Sequence, residues 1–144
     1  MEKTHLLEVK DLKVSFASKK TEVPAIQEIS YYLDEGEVLG IVGESGSGKS
    51  VSSHCILKLL PENGRIKGGQ ILFEGKDLLP MNVKEIADIR GKKISMIFQD
   101  PMTSLDPLFT VGHQIEESLK KHTNLNKKQR EERIIELLDM VGIN

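Results

Sequence analysis

Eight consecutive residues, Gly43-Glu44-Ser45-Gly46-Ser47-Gly48-Lys49-Ser50, carry the most specific chemistry in this sequence. They fit the pattern of a glycine, four residues and then Gly-Lys-Ser, which cradles phosphate. Glycines at 43, 46 and 48 open backbone angles denied to residues with a Cβ, so successive N–H groups can turn inward around an anion. A helix starting at the end of the loop adds unpaired N–H groups and the positive end of its dipole. Lys49 is a point charge for β- and γ-phosphates, and the Ser50 hydroxyl can ligate a Mg²⁺ that bridges them. At Glu44 and Ser45 the backbone N–H groups matter more than the side chains. The plainer reading of the same residues is a flexible Gly/Ser-rich loop, and the flanking elements argue against it.

Those elements follow from local pattern. Glu37-Val38-Leu39-Gly40-Ile41-Val42 is a short apolar run, as expected of a strand buried on both faces. A helix should leave the loop and run to about Leu60, stopped by Pro61-Glu62-Asn63-Gly64. Upstream, Leu12, Val14 and Phe16 alternate with Lys13 and Ser15, the period of a half-buried strand. Residues 17–25 are polar, contain Pro24 and read as a loop; Ile29 to Leu33 reads as a second strand, followed by an Asp34-Glu35-Gly36 turn. Downstream, Gly69 to Phe73 with Glu74-Gly75-Lys76-Asp77 predicts a hairpin. Asn82 with Glu85 forms a capping box for a short helix ending near Arg90-Gly91. Lys93 to Phe98 predicts another buried strand, and 99–109 a loop. Thr110 caps a helix to about Lys121, and Asn126 with Gln129 caps a last helix presenting Ile134, Leu138 and Val141 on one face. The order is β, then α/β, then two helices, which suggests an α/β fold with a parallel sheet of the P-loop type.

Composition narrows the class. The 144 residues are the length of one domain, 38% hydrophobic and 29% charged. A net charge of −2 leaves no basic footprint, and 4% aromatics without tryptophan leave no base-stacking surface, so nucleic acid is not an expected partner. Cys55 is the sole cysteine, which excludes an internal disulfide and fits a reducing compartment. No apolar stretch reaches the ~18 residues of a membrane helix, and MEKTHLLEVK is not a signal peptide. A cytosolic domain, or a cytosolic piece of something larger, is expected.

Four further features fix the NTPase class. Phe16 ends a strand upstream of the loop, and Gln99 follows KISMIF and precedes Asp100-Pro101. The stretch MIFQDPMTSLDPLFTVGHQI then leads towards helices, and SVSSHCILKLLP follows the phosphate loop. With the Gly43–Ser50 loop, these resemble the ATP-binding subunit of an ABC transporter, and within that superfamily the oligopeptide/dipeptide importer group. The resemblance implies a P-loop NTPase of the ABC type: an N-terminal antiparallel β part, a partial RecA-like core and the start of the helical subdomain. It implies division into residues 1–98, the β subdomain and P-loop core, and 99–144, the Q-loop and beginning of the helical subdomain. Phe16 would stack on adenine, although a core Phe on an edge strand remains open for it. Gln99 would reach Mg²⁺ and the attacking water, with the role of a Q-loop glutamine. ATP and Mg²⁺ are the implied cofactors. Membrane subunits, a second, paralogous ATPase subunit and an extracytoplasmic peptide-binding protein are the implied partners, at the cytoplasmic face of the membrane. Leu105 and Phe109 are candidates for contact with membrane subunits, with packing inside the helical subdomain equally open.

The family pattern is not complete within these residues. There is no LSGGQ-like signature, no Walker B aspartate followed by a catalytic glutamate, and no switch histidine. Ile94–Phe98 before Gln99-Asp100 fits the Q-loop better than Walker B, and Ile134-Ile135-Glu136-Leu137-Leu138-Asp139 follows a helical period. The expectation is therefore the N-terminal part of a longer subunit, incomplete towards its C-terminal side. It would bind nucleotide weakly at most and would not hydrolyse it alone. Two other classes stay open: a non-catalytic nucleotide-binding fragment, and a small P-loop kinase or GTPase, for which neither an Arg-rich lid nor an NKxD-type sequence is present. His54 reads as a packing residue and His113 and His122 as exposed ones. The run Lys127 to Glu132 reads as a solvated helix face of i,i+4 pairs.

Overall fold

A computed structural model describes residues 5–19, 21–100 and 104–143. The chain divides into two compact units, Met1–Ala87 and Asp88–Asn144. The first holds a sheet of β1 (Leu7–Ala17), β2 (Glu22–Leu33), β3 (Gly64–Phe73) and β4 (Lys76–Asp77), in the order β2-β1-β3-β4. Every pairing in it is antiparallel. Helix α1 (Lys49–Ile56) lies between β2 and β3 in sequence, and α2 (Val83–Ile89) follows β4. In the second unit α3 (Val111–His122) and α4 (Lys127–Met140) follow.

The expected strand at Leu12–Phe16 is the second half of β1, with Leu12 and Val14 at 0% and 1% exposure. Ile29–Leu33 falls inside β2. The reading of 17–25 as a loop is corrected: β1 runs through Ala17 and β2 begins at Glu22, so Pro24 sits in a strand opposite Ser15. β2 is an edge strand, the position in a sheet where proline is tolerated. The hairpin is present but longer, β3 starting at Gly64, with Glu74 (φ 50°) and Gly75 (φ 76°) making a turn of primed type.

Two predicted strands do not form. Residues 38–42 and 93–98 carry no strand, and Val38, Val42 and Ile97 are 98%, 92% and 95% exposed. In the second run Ile94 makes an isolated bridge with Arg90, and the N–H groups of Lys93 and Ile94 bond the Ile89 carbonyl. An apolar run states a demand for burial, but a strand also needs a neighbour for its N–H and C=O groups. Neither run joins the four-stranded sheet, in which β2 and β4 are the edges. The expected parallel sheet is accordingly not seen among the described residues.

Helix ends follow local chemistry closely. The Asn82 side chain accepts from the N–H groups of Lys84 and Glu85 at 2.9 and 3.1 Å, and the Glu85 carboxylate accepts from Asn82 N–H. Thr110 Oγ1 accepts from His113 N–H, and Asn126 with Gln129 completes a capping box. Helix α1 stops at Ile56, short of Leu60. The N–H of Leu59 bonds His54 C=O and that of Lys58 bonds Cys55 C=O, with Lys58 at φ 50°. This is a Schellman end with lysine where glycine is usual. The Lys58 ammonium donates to the carbonyls of Leu79 and Met81.

The second unit buries no side chain fully in α3 or α4. Ile134 and Leu138 are half-buried as expected, but Val141 is 69% exposed at the C-cap of α4. Arg130 joins the two helices, donating from Nε to Glu116 at 3.0 Å and from Nη1 to the Leu125 carbonyl at 2.6 Å. Lys127–Glu131 and Lys128–Glu132 stand 3.9 Å apart and largely exposed, the solvated face expected. Lys120, and after it Arg130, hold the Glu116 carboxyl below the usual carboxylate range. A carboxyl whose folded pKa is depressed contributes stability that is present above its unfolded pKa and lost as pH falls through the folded one. The α3–α4 bridge should therefore weaken on acidification below the ordinary glutamate range. Urea midpoints in a pH series should show this for the wild type, and Glu116→Gln should flatten that part of the profile.

Candidate functional site

The Gly43–Ser50 loop lies in the first unit and turns into α1. Gly46 (φ 81°) and Gly48 (φ 91°) occupy the left-handed region, Gly48 as the N-cap of α1. Gly48 makes no side-chain cap, so the first N–H groups of the helix have no partner within it. A Cβ at Gly43 would lie 2.7 Å from Ser47 Oγ, and one at Gly48 would lie 3.0 Å from both the Ala25 carbonyl and Ile26 Cγ1. The loop closes on itself through Ser47 N–H to Glu44 C=O at 3.2 Å. Lys49 Nζ donates to the carbonyls of Gly43 and Glu44, each at 2.7 Å, and to Ser47 Oγ at 3.3 Å. The ammonium thus sits over the mouth of the loop. Its long bond to Ser47 is the one an incoming phosphate oxygen would most easily replace. Glu44, Ser45 and Ser50 are exposed to solvent.

The donor set fits a polyphosphate. A loop with two left-handed glycines runs into a helix N-terminus, and one ammonium is held on the loop, which are the parts of a phosphate cradle. Ser50, in the first turn of α1, offers a hydroxyl to a cation held by the phosphates.

Phe16 pairs with Val23 and Gly64 and is half-buried, and a Cβ at Gly64 would meet its ring at 3.1 Å. Described contacts bring Ala25 and Ile26 of β2, rather than Phe16, to the loop. Gln99 lies in the second unit, exposed and outside regular structure. Residues 101–103 of the expected Q-loop lie outside the described residues. Leu105 and Phe109 are 52% and 53% exposed, and Phe109 stacks on His113 with centroids 5.2 Å apart. His122 is half-buried, not exposed: its ring lies against Gly91, where a Cβ would meet Nε2 at 2.9 Å. No group of His, Cys, Asp and Glu among the described residues could hold a metal.

Two supporting residues escaped the sequence reading. Ser52 in α1 is 1% exposed, and its Oγ donates to Lys49 C=O at 3.2 Å. Tyr31 Oη of β2 lies 3.3 Å from the same Oγ. Burial pushes the Tyr31 hydroxyl pKa up, so it remains a donor at neutral pH. The thiol of Cys55, fully buried one turn on, is pushed up by burial to about 11 and has no nucleophilic role at neutral pH. Tyr31 belongs to no motif, and Ser52 lies in the SVSSHCILKLLP stretch without a role of its own there. Only the side-chain contact between strand and helix singles them out.

Comparison with known proteins decides the class. The family description "ABC transporter" matches residues 26–144. The chain belongs to the ABC transporter family. Among curated ABC relatives, the oligopeptide transport ATP-binding protein OppD of Bacillus subtilis is 57% identical over 141 residues, covering 97% of this chain and 39% of the relative. The dipeptide transport ATP-binding protein DppD of Haemophilus influenzae is 53% identical over 138 residues, covering 96% of this chain and 42% of the relative. The chain thus spans about two-fifths of the length of these relatives. Among solved structures, the dimeric bacterial ABC transporter cassette MJ0796 superposes with a TM-score of 0.82 at 24% identity, over 96% of this chain and 58% of that one. That likeness shows the fold: the α/β class of the ABC ATPase cassettes, here an antiparallel sheet plus helices. Membership in the ABC family displaces the small kinase or GTPase alternative. No described helix is long and apolar enough to cross a membrane.

Proposed function

We propose that this chain is the nucleotide-binding part of a peptide-importer ATPase, in which ATP binding and hydrolysis drive uptake of di- or oligopeptides. The observation that carries the reading is the Gly43–Ser50 loop, with its helix N-terminus and its ammonium over the loop mouth, in a chain so similar to OppD and DppD. On this reading the N–H groups of residues 43–48 hold the phosphates and Lys49 neutralises the β- and γ-groups. Ser50 ligates Mg²⁺, Gln99 positions that ion and the attacking water, and Phe16 stacks on adenine. Residues 1–98 serve as the β subdomain and P-loop core, and 99–144 as the Q-loop and start of the helical subdomain. Leu105 and Phe109 face the membrane subunits, and the protein is peripheral at the cytoplasmic face. A paralogous ATPase subunit and an extracytoplasmic peptide-binding protein complete the assembly.

These 144 residues contain no signature motif and no Walker B carboxylates. Hydrolysis needs a group that orients or deprotonates water, so binding and turnover separate. Isothermal titration of the 144-residue chain should show weak Mg-ATP binding, with phosphate release at the buffer rate. A chain that takes up no heat from Mg-ATP at millimolar concentration would overturn the reading.

A further inference from the structure

We propose that Tyr31 is a positioning residue for the phosphate loop, acting through Ser52 from the neighbouring strand. The inference rests on the nucleotide-binding reading above and goes beyond it. Ser52 Oγ carries one proton, which it gives to Lys49 C=O. Tyr31 must then be the donor in the 3.3 Å contact between the two hydroxyls. The result is a partly buried chain from β2, through Ser52, to the carbonyl of the residue whose ammonium covers the loop mouth. Lys49 C=O also accepts from Ser53 Oγ at 3.3 Å, so the first turn of α1 is tied from within as well as from the sheet.

The same strand meets α1 at a second point. In the β1–β2 ladder Val14 pairs with Ile26 and Ser15 with Pro24, which leaves Ala25 as the extra residue of a bulge. A bulge re-aims the groups beside it. Here the Ala25 carbonyl is the atom that a Cβ at Gly48 would meet at 3.0 Å. β2 therefore seats both the N-cap of α1, at Ala25 and Ile26, and its first turn, at Tyr31. Two fixed points on one strand set the direction in which the N–H groups of the helix start point.

The test separates this role from general packing by using ligands that see different parts of the site. Mg-tripolyphosphate reads the cradle alone, and adenosine reads the base contact alone. Tyr31→Phe keeps the ring and should weaken Mg-tripolyphosphate about three- to tenfold, the effect of losing one hydrogen bond, with adenosine affinity unchanged. Ser52→Ala should do the same, and the double variant should be no weaker than Ser52→Ala alone, since both break one chain. Ser52→Thr retains the hydroxyl and should bind as wild type does. Wild-type tripolyphosphate affinity in Tyr31→Phe, equal losses for both ligands, or additive losses in the double variant would overturn the inference. Loss in Lys49→Ala with none in Tyr31→Phe would overturn it alone. Wild-type binding by Lys49→Ala would overturn the nucleotide reading and this inference with it.

Discussion

Lys49→Ala should weaken Mg-ATP binding on the order of 100-fold, the scale of a lost charge-assisted hydrogen bond at a site that concentrates negative charge. The ammonium is held by two loop carbonyls at 2.7 Å and by Ser47 Oγ at 3.3 Å, so it is in place before ligand arrives. Removing it leaves those carbonyls in an exposed loop, where water can replace the lost donors. Thermal stability should hence change little while nucleotide affinity collapses. Lys49→Arg should not restore binding, because a longer, planar guanidinium spreads the charge over a rigid fork where the loop holds a compact ammonium. Titration calorimetry beside thermal melts distinguishes the outcomes. Unchanged affinity would mean that the loop does not hold phosphate, whereas a joint loss of affinity and melting temperature would mean that Lys49 serves the fold.

The loop was legible because its chemistry is local. Eight residues contain the glycines, the lysine and the hydroxyl, and the fold adds only the helix start. The caps at Asn82, Thr110 and Asn126 were legible for the same reason, each being a side chain answering an N–H two or three residues away. What was not legible depends on partners distant in sequence. Lys58 ends α1 in a left-handed turn, and its ammonium is held by carbonyls about twenty residues on. Pro24 sits in a strand because that strand is an edge, which only the sheet order reveals. The runs 38–42 and 93–98 show the converse. Their composition is that of buried strands, yet pairing is a property of two segments, and neither run joins a ladder among the described residues. Tyr31 and Ser52 are 21 residues apart, and no spacing rule links a strand tyrosine to a helix serine.

Gly69→Ala should be the most damaging conservative change in the sheet, destabilising the first unit by about 3–5 kcal/mol. Gly69 lies at φ 96°, and a Cβ there would fall 2.4 Å from the Lys10 carbonyl, 2.7 Å from the Asp11 carbonyl and 2.7 Å from Leu12 Cα. All three are backbone atoms of β1, so none can rotate aside. They belong to the kink where Asp11 takes φ 47° and the β1–β3 register shifts between Lys10 and Lys13. The kink is itself tied: Asp11 N–H donates to Ser30 Oγ at 2.9 Å, and Ser30 Oγ donates to the Asp11 carboxylate at 3.1 Å. It must also keep Leu12, at 0% exposure, in the core. Relief of the clash would therefore mean moving β1 against both neighbours. Gly36→Ala is the control that isolates the clash, since Gly36 also has a positive φ of 76° but has nothing within 4 Å of a Cβ. It should cost only the left-handed penalty, about 1–2 kcal/mol. In thermal melts Gly69→Ala should lower the midpoint by about 10–20 °C and Gly36→Ala by about 3–8 °C. Equal shifts would show that backbone angle alone, and not the approach of β1, requires glycine at position 69.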